Sequence, residues 1–469
     1  MARTRQPPPE NGSDTRWEAL RDQPREALVA LLEELGARYP EVGARLDRLV
    51  LGDAPATLAA EFRKRLQNWK RSRRFLGRSA ASGFGRELED WQDEVQRELL
   101  PLDPLLAHKL ADSFLRADKY FFEQADDSDG AISDAIRAGC RLWLHSAKVQ
   151  PAKSADHWVE RIHALESADE YGAREELLRA SDTLFDEAGL RTLAGRFDAD
   201  LAKALAAKRE TARTDYAMYK AAAAIGLIAD AMRDPDLSTQ TTLRYSPNPN
   251  PMQKEQFAQR YIRFGRAKDA LPWLEGDWGH AEDGRLRLQA EAYVALGDHD
   301  RLCAIRQALF ERTGTAHDFE AWHQALSPAE RPVAATRARE RARIHDDPIT
   351  GATLYLALGD EAAAEQLLVD RNGVLRGDDY GRLVPLAQLL ESKGRLLGAV
   401  ACYRALLVAI LTRGYARAYG HAADYLHVLR SLDARVTNYR DLAHHQAFES
   451  ALRNAHGRKV SFWNRVQLR

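Results

Sequence analysis

Residues 355–368 read YLALGDEAAAEQLL, and this stretch decides the fold. An apolar run stops at Gly359, a polar residue follows, and Ala364 stands five positions after the glycine. Glycine tolerates the positive φ of a tight turn between two helices. A small residue five positions later lets the second helix approach the first. The pattern recurs as Gly265 with Ala270 in FGRAKDALPWL and as Gly394 with Ala399 in KGRLLGAVACYRALL. Gly297 opens LGDHDRLCAIRQAL in the same way, with the larger Leu302 at the small position. Four residues before three of these glycines stands a tyrosine (Tyr261, Tyr293 and Tyr355), and Leu390 takes that place before Gly394.

The glycines are 32, 62 and 35 residues apart. The longest interval is two periods, which puts a missing turn near residue 328. Ser327-Pro328 stands there and is itself a turn and helix-start signal. A period of about 31–35 residues means one helix pair per repeat, stacked into a solenoid. The Gly-Asp turn before a small residue resembles the tetratricopeptide repeat, without that repeat's opening Trp-Leu-Gly. Tyrosine is expected to fill the space between neighbouring pairs.

Working outward, Ala, Leu, Arg and Glu dominate and long alternating β-branched runs are lacking, so the expected class is all-α. The expected organisation is a disordered arm over 1–14, an irregular helical region over 15–233, a linker loop over 234–253 and a TPR-like α-solenoid over 254–469. The linker reading rests on Pro247, Pro249 and Pro251, which deny a helix its donors. In the N-terminal region, helices are expected over 17–37, 56–76, 87–99, 104–123, 132–149, 155–167, 172–188, 189–207 and 215–232.

The 68 Lys and Arg against 69 Asp and Glu give a net charge of -1, which is no general nucleic-acid or membrane signature. No uninterrupted apolar run reaches bilayer length, and the N-terminus lacks the apolar core of a signal peptide. Cys140, Cys303 and Cys402 are far apart in sequence, with no zinc or redox spacing, and each is expected to be a small buried residue of a cytoplasmic protein.

Local charge is more informative. Residues 61–78, EFRKRLQNWKRSRRFLGR, hold eight basic residues and one acidic. On a continuous helix Arg63, Lys64, Lys70, Arg71, Arg74 and Arg78 share one arc of about 120°. The functional reading is a surface that follows phosphates or an acidic partner. The structural reading is a helical hairpin: a glycine-rich turn at Gly77, Gly83 and Gly85, then an acidic helix with Glu87, Glu89, Asp90, Asp93, Glu94 and Glu98.

Asp126-Asp-Ser-Asp-Gly130 looks like half of a calcium loop. The twelve-residue frame puts Ala125 first and Ile136 last, where calcium needs oxygen ligands, so an acidic helix cap before Ile132, Ile136 and Cys140 is expected. His421, Asp424 and His427 could form one edge of a metal site, but a polar helix face is favoured, and His444-His445 is expected on the surface. Nucleophile-elbow, Walker and dinucleotide motifs are absent from the sequence. No catalytic residue, cofactor or metal is therefore assigned. An all-α hydrolase or lyase with dispersed acids is kept as the least favoured alternative.

The ending HGRKVSFWNRVQLR combines His456, Arg458, Lys459 and Arg465 with Phe462 and Trp463. Such a mixture could stack on nucleic-acid bases, or its aromatics could seal the last repeat as a capping helix.

Taken in order, the 126–130 turn, residues 393–426 and HGRKVSFW at 456–463 resemble an uncharacterised bacterial helical-repeat family, a domain of unknown function that often accompanies a SWIM-type zinc finger. The resemblance runs from about Leu28 to Val466 and brings no catalytic residues. The chain lacks the finger's Cys-x-Cys pair. The expected function is a non-enzymatic scaffold binding a protein or peptide on the first helix of each pair, around Gln259, Arg287 and Arg382. The alternative is nucleic-acid association through Arg63, Lys64, Lys70, Arg71, Arg74, Arg78, Arg458 and Lys459. No membrane partner is expected.

Overall fold

The computed structural model describes residues 20–50, 54–151, 153–211 and 216–467; the expected arm over 1–14 lies outside them. The chain divides into two compact units, Met1–Pro247 and Asn248–Arg469. The fold is all-α, and the described residues form no strand beyond an isolated bridge between Leu76 and Ala125.

The N-terminal unit contains α1 (Arg25–Arg38), α2 (Pro40–Val50), α3 (Pro55–Arg71), α4 (Arg78–Glu94), α5 (Pro104–Leu115), α6 (Asp118–Glu123) and α7 (Ala131–Lys148). It continues with α8 (Ala155–Ser167), α9 (Glu176–Arg179), α10 (Glu187–Thr211), α11 (Tyr216–Met232) and α12 (Pro235–Tyr245). A π turn over Val95–Leu99 follows α4 directly. The core is aromatic: Phe62, Trp91, Phe114, Phe121 and Trp143 are fully buried. Trp91 stacks on Phe114 with ring centroids 5.3 Å apart, and its Nε1 donates to the carbonyl of Phe62 at 3.1 Å. That bond satisfies the indole donor, which burial would otherwise leave without a partner.

Three expectations are corrected here. The basic helix ends at Arg71, not near Leu76, because the chain turns extended to pair with the segment after α6. Leu76 N–H donates to Gln124 O at 2.7 Å, and Leu76 O accepts from Asp126 N–H at 2.9 Å. The Gly77–Gly85 segment is not a turn, since Gly83 and Gly85 lie inside α4. A Cβ on Gly85 would sit 2.7 Å from the carbonyl oxygen of Ala131, so this glycine admits the start of α7. The expected helix over 172–188 breaks into α9 and a 3₁₀ turn over Ser181–Thr183, where Ser181 Oγ donates to Leu178 O at 2.7 Å.

The cap expected in the Asp126–Gly130 turn is present. Asp127 accepts from the backbone N–H of Ile132 at 2.7 Å and of Ser133 at 3.1 Å, while Ile132, Ile136 and Cys140 are fully buried below it.

The linker expected over 234–253 shrinks to 246–250. Asp234 caps α12 through the N–H of Leu237, and Pro235 occupies its first turn. Asn250 forms a capping box with Gln253, and Pro251 opens the next helix. A proline at the first helical position loses nothing, since its missing donor would be unused there.

The C-terminal unit is an α-solenoid of helix pairs: α13 (Pro251–Arg263) with α14 (Ala267–Ala270), α15 (Glu282–Leu296) with α16 (His299–Thr313), α17 (Ala316–Ala325) with α18 (Arg331–Ile344), α19 (Pro348–Ala357) with α20 (Glu361–Asp370), and α21 (Tyr380–Ser392) with α22 (Leu396–Arg413). It ends in α23 (Tyr419–Asp433), α24 (His445–His456) and α25 (Val460–Gln467). Gly265, Gly297, Gly359 and Gly394 all have φ between +68° and +77°. The N–H after each glycine donates to the carbonyl four residues before it, at Tyr261, Tyr293, Tyr355 and Leu390, over 2.8–3.1 Å. This is the helix-ending motif that favours a left-handed glycine. Asp298 and Asp360, just after their glycines, cap the following helix. Ala270, Ala364 and Ala399 are fully buried, as the close approach of paired helices demands, while Leu302 is 9% exposed. The turn expected near 328 exists: Ser327 and Glu330 bond to each other ahead of α18.

By length and composition α22 could cross a bilayer, with a mean hydropathy of 1.7 over 18 residues. Arg404 interrupts its apolar run, in keeping with the sequence reading. Within the unit α22 is a core helix with 61% of its residues buried, fully so at Val400, Cys402 and Leu407.

Candidate functional site

The first helices of three successive pairs, α17, α19 and α21, line one groove of about 640 Å3. Its wall is mainly apolar, with Ile349, Leu386 and Leu389, and it carries Thr353, His317, Glu320 and Lys393 as polar points. Leu389 is 43% exposed in the groove. Of the three residues named from sequence, Arg382 lines this groove. It donates to Asp347 at 2.9 Å and to Thr350 at 2.7 Å, tying α21 to the capped start of α19. Arg287 reaches Asp318 at 3.4 Å and ties α15 to α17. Gln259 is exposed and bonded to Glu255.

Segment 371–379 crosses α22 next to two further cavities. One, of about 680 Å3, is lined by Tyr380, Leu406, Ile410, Tyr415, His421 and Tyr425. The other, of about 540 Å3, is lined by Arg404, Thr412, Arg413, Asp441 and Phe448. Gly377 belongs to both. A Cβ there would lie 2.0 Å from the carbonyl oxygen of Ala405, so the crossing needs glycine. Gly377→Ala is expected to cost about 1–3 kcal/mol, as overpacking of a tight contact does. The check is the urea midpoint of the chain with its slope unchanged.

The basic surface is partly as expected. Arg63, Lys64 and Arg71 are exposed on α3, with no ion pair among the described residues. Arg74 is exposed and equally unpaired, but it lies beyond the end of α3. Lys70 is half-buried over the ring of Tyr120, 5.0 Å from its centroid. Arg78 starts α4 and is bound by Asp129 at 2.9 Å. Among the described residues the charge-paired hairpin forms at one point: Glu94 bonds to Arg65, a residue outside the expected arc. Glu98 meets Arg48 of α2.

The C-terminal residues do not form a stacking platform. Phe462 is fully buried against Tyr419, and Trp463 is 9% exposed, with its Nε1 donating to His456 O at 3.1 Å. Arg458 is exposed and Lys459 half-buried. His445 is 7% exposed, correcting its expected surface position, because the start of α24 packs its ring beside Glu449 at 3.5 Å. Cys303 is half-buried, whereas Cys140 and Cys402 are buried. No group of three or more His, Cys, Asp or Glu that could hold a metal occurs among the described residues, so His421, Asp424 and His427 do not come together as one.

Sequence reading missed two buried titratable groups. Burial, with Asp169 nearby, pushes the Glu166 carboxyl up to about 7. Burial also drives the His108 imidazole, between Trp143 and Trp158, down to about 4. Their pH effects oppose one another. Glu166 binds its proton more tightly when folded, so its contribution to stability is present below about 4.5 and lost as pH rises through about 7. His108 contributes above about 6.5 and loses that contribution as pH falls through about 4. Glu166→Gln should therefore stabilise the N-terminal unit at pH 8 relative to the natural chain. The gap should close by pH 4.5 in thermal melts.

A family profile with the description "Family of unknown function (DUF6880)" matches residues 19–465. Searches of curated proteins and of solved structures return no match.

Proposed function

The chain belongs to the DUF6880 family, whose function is unknown, and from that premise we propose that it is a non-enzymatic helical-repeat scaffold. In this reading its TPR-like C-terminal unit binds an extended segment of a partner protein. The observation that carries the reading is the groove along α17, α19 and α21. Successive first helices offer a continuous apolar floor with spaced polar points, which suits a peptide held by a few anchors. Three free cysteines fit a reducing cytoplasm. The resemblance to helical-repeat proteins that accompany SWIM-type zinc fingers fits an adaptor role.

A photocrosslinking residue at Leu389 in the groove should capture a discrete protein. The same residue at Val333, 60% exposed on the second helix α18, should not. Equal capture at both positions would overturn the groove as the binding face.

A second reading, nucleic-acid association, is favoured by the exposed Arg63, Lys64, Arg71 and Arg74, which have no ion pair among the described residues. It lacks aromatic support at the C-terminus, where Phe462 and Trp463 belong to the core. Binding by that face should weaken steeply, by about a hundredfold or more, between about 50 and 200 mM salt if several phosphates are neutralised. The absence of low-salt binding to single- and double-stranded oligonucleotides would end it.

A further inference from the structure

We propose that the cavity beside Tyr380 and Tyr415 binds a small molecule built on an uncharged aromatic ring. A short run of chain, from the segment before α21 to α23, builds its wall. Leu406, Ile410 and Arg413 stand three to four residues apart and share one face of α22. His421 and Tyr425 do the same on α23. Between these helices Gly414, with a φ of +67°, ends α22, and the N–H of Tyr415 donates to Ile410 O at 3.3 Å. Tyr380 is the first residue of α21, just after the segment that Gly377 lets cross α22.

The lining runs from core to water, as an open pocket requires. Leu406 is 1% exposed, and Ile410 and Tyr425 are half-buried. Arg413 and His421 are exposed, as are Tyr380 at 71% and Tyr415 at 58%. The volume of about 680 Å3 lies within the usual size of small-molecule sites, about 300–1,000 Å3.

Three tyrosines on one wall select an aromatic ring. Aromatic pairs gain from stacked or edge-on contact beyond the area they bury. Tyr425 packs against Tyr403 with ring centroids 5.8 Å apart, whereas Tyr380 and Tyr415 make no ring contact among the described residues. The three hydroxyls and the His421 ring have no hydrogen-bond partner there either, which leaves them for polar groups on the ligand's edge. Burial pushes the Tyr425 hydroxyl above its ordinary range, so it stays a neutral donor.

The charges on the wall decide against an ionic ligand. Tyrosine faces also attract cations, but Arg413 lines the same cavity. Asp378, the acid on this wall, accepts from Arg413 at 2.9 Å and from Arg376 at 3.3 Å. A cation would find its carboxylate already taken and a guanidinium beside it. An anion would have to compete with Asp378 for Arg413.

This inference stands apart from the scaffold reading, because the groove on α17, α19 and α21 shares no lining residue with the cavity. The test is calorimetric titration of the full chain with naphthol, decahydronaphthol, naphthoate and naphthylmethylammonium. Naphthol should bind below millimolar concentration. Decahydronaphthol keeps the hydroxyl and the apolar bulk without the aromatic faces, and it should bind about threefold or more weakly. The two charged analogues should bind about tenfold or more weakly, since each brings a charge that the wall does not meet. Tyr380→Leu and Tyr415→Leu, which remove a ring face at exposed positions, should each weaken naphthol binding about threefold or more with the helical circular dichroism intact. No naphthol binding at millimolar concentration, or a saturated or charged analogue binding as tightly as naphthol, would overturn the proposal. Tighter binding of an uncharged tryptophan-containing pentapeptide than of naphthol would overturn the small molecule in favour of a partner's side chain. The comparison of ligands on the natural chain decides the matter even if the tyrosine variants fail to fold.

Discussion

Phe462→Ala is expected to destabilise the C-terminal unit by about 3–5 kcal/mol, the usual range for emptying a buried aromatic site. Phe462 is fully buried on α25, packed edge-on against Tyr419 of α23 at 6.0 Å and beside Trp463 at 4.8 Å. The α25 helix packs onto α23 through its buried Phe462, Trp463 and Val466. The variant also separates the two readings of this segment. An aromatic that served base stacking would be removed with little change in melting. Removing an aromatic that packs α25 onto α23 lowers the melting temperature, whatever the salt concentration.

Asp118→Asn is expected to cost the N-terminal unit about 3–5 kcal/mol, because removing one partner of a buried ion pair strands the other charge. Asp118 and Arg174 have side chains only 4% exposed. Arg174 also donates Nη1 to the carbonyl of Leu165 at 2.7 Å, so its position is fixed by α8 as well as by α6. The double variant Asp118→Asn with Arg174→Met should recover much of the loss, since an apolar side chain there leaves no stranded cation. Chemical denaturation of the single and double variants checks both statements.

The repeat turns were legible because their chemistry is local. A left-handed glycine, the carbonyl four residues before it and the cap after it all lie within one short window, so the Gly359 spacing carried to Gly265, Gly297 and Gly394. The expected role of the tyrosines was less secure. Their backbone carbonyls serve the turn, and Leu390 does the same before Gly394 with no aromatic ring. Tyr261 and Tyr355 are buried, whereas Tyr293 is only half-buried, with the guanidinium of Arg301 5.7 Å from its ring.

What the sequence hid depends on distant contacts. Extending the helical wheel past Arg71 placed Arg74 and Arg78 on a face that the chain abandons to reach Gln124 and Asp126. Gly85 reads as a turn residue, yet it and Gly377 each admit a backbone carbonyl from another segment. The 234–253 prolines mark two helix starts separated by a short loop, since Asp234 and Asn250 supply caps.

The scaffold reading is tested most directly by affinity capture from the native host with three forms of the chain, each with and without nuclease. The forms are the natural sequence, a groove variant carrying Thr353→Arg and Leu389→Arg, and a basic-face variant carrying Arg63→Glu and Arg71→Glu. The account predicts discrete protein partners that survive nuclease, persist on the basic-face variant and disappear from the groove variant while its circular dichroism stays helical. Partners that remain on the groove variant, or that vanish with nuclease, would contradict it.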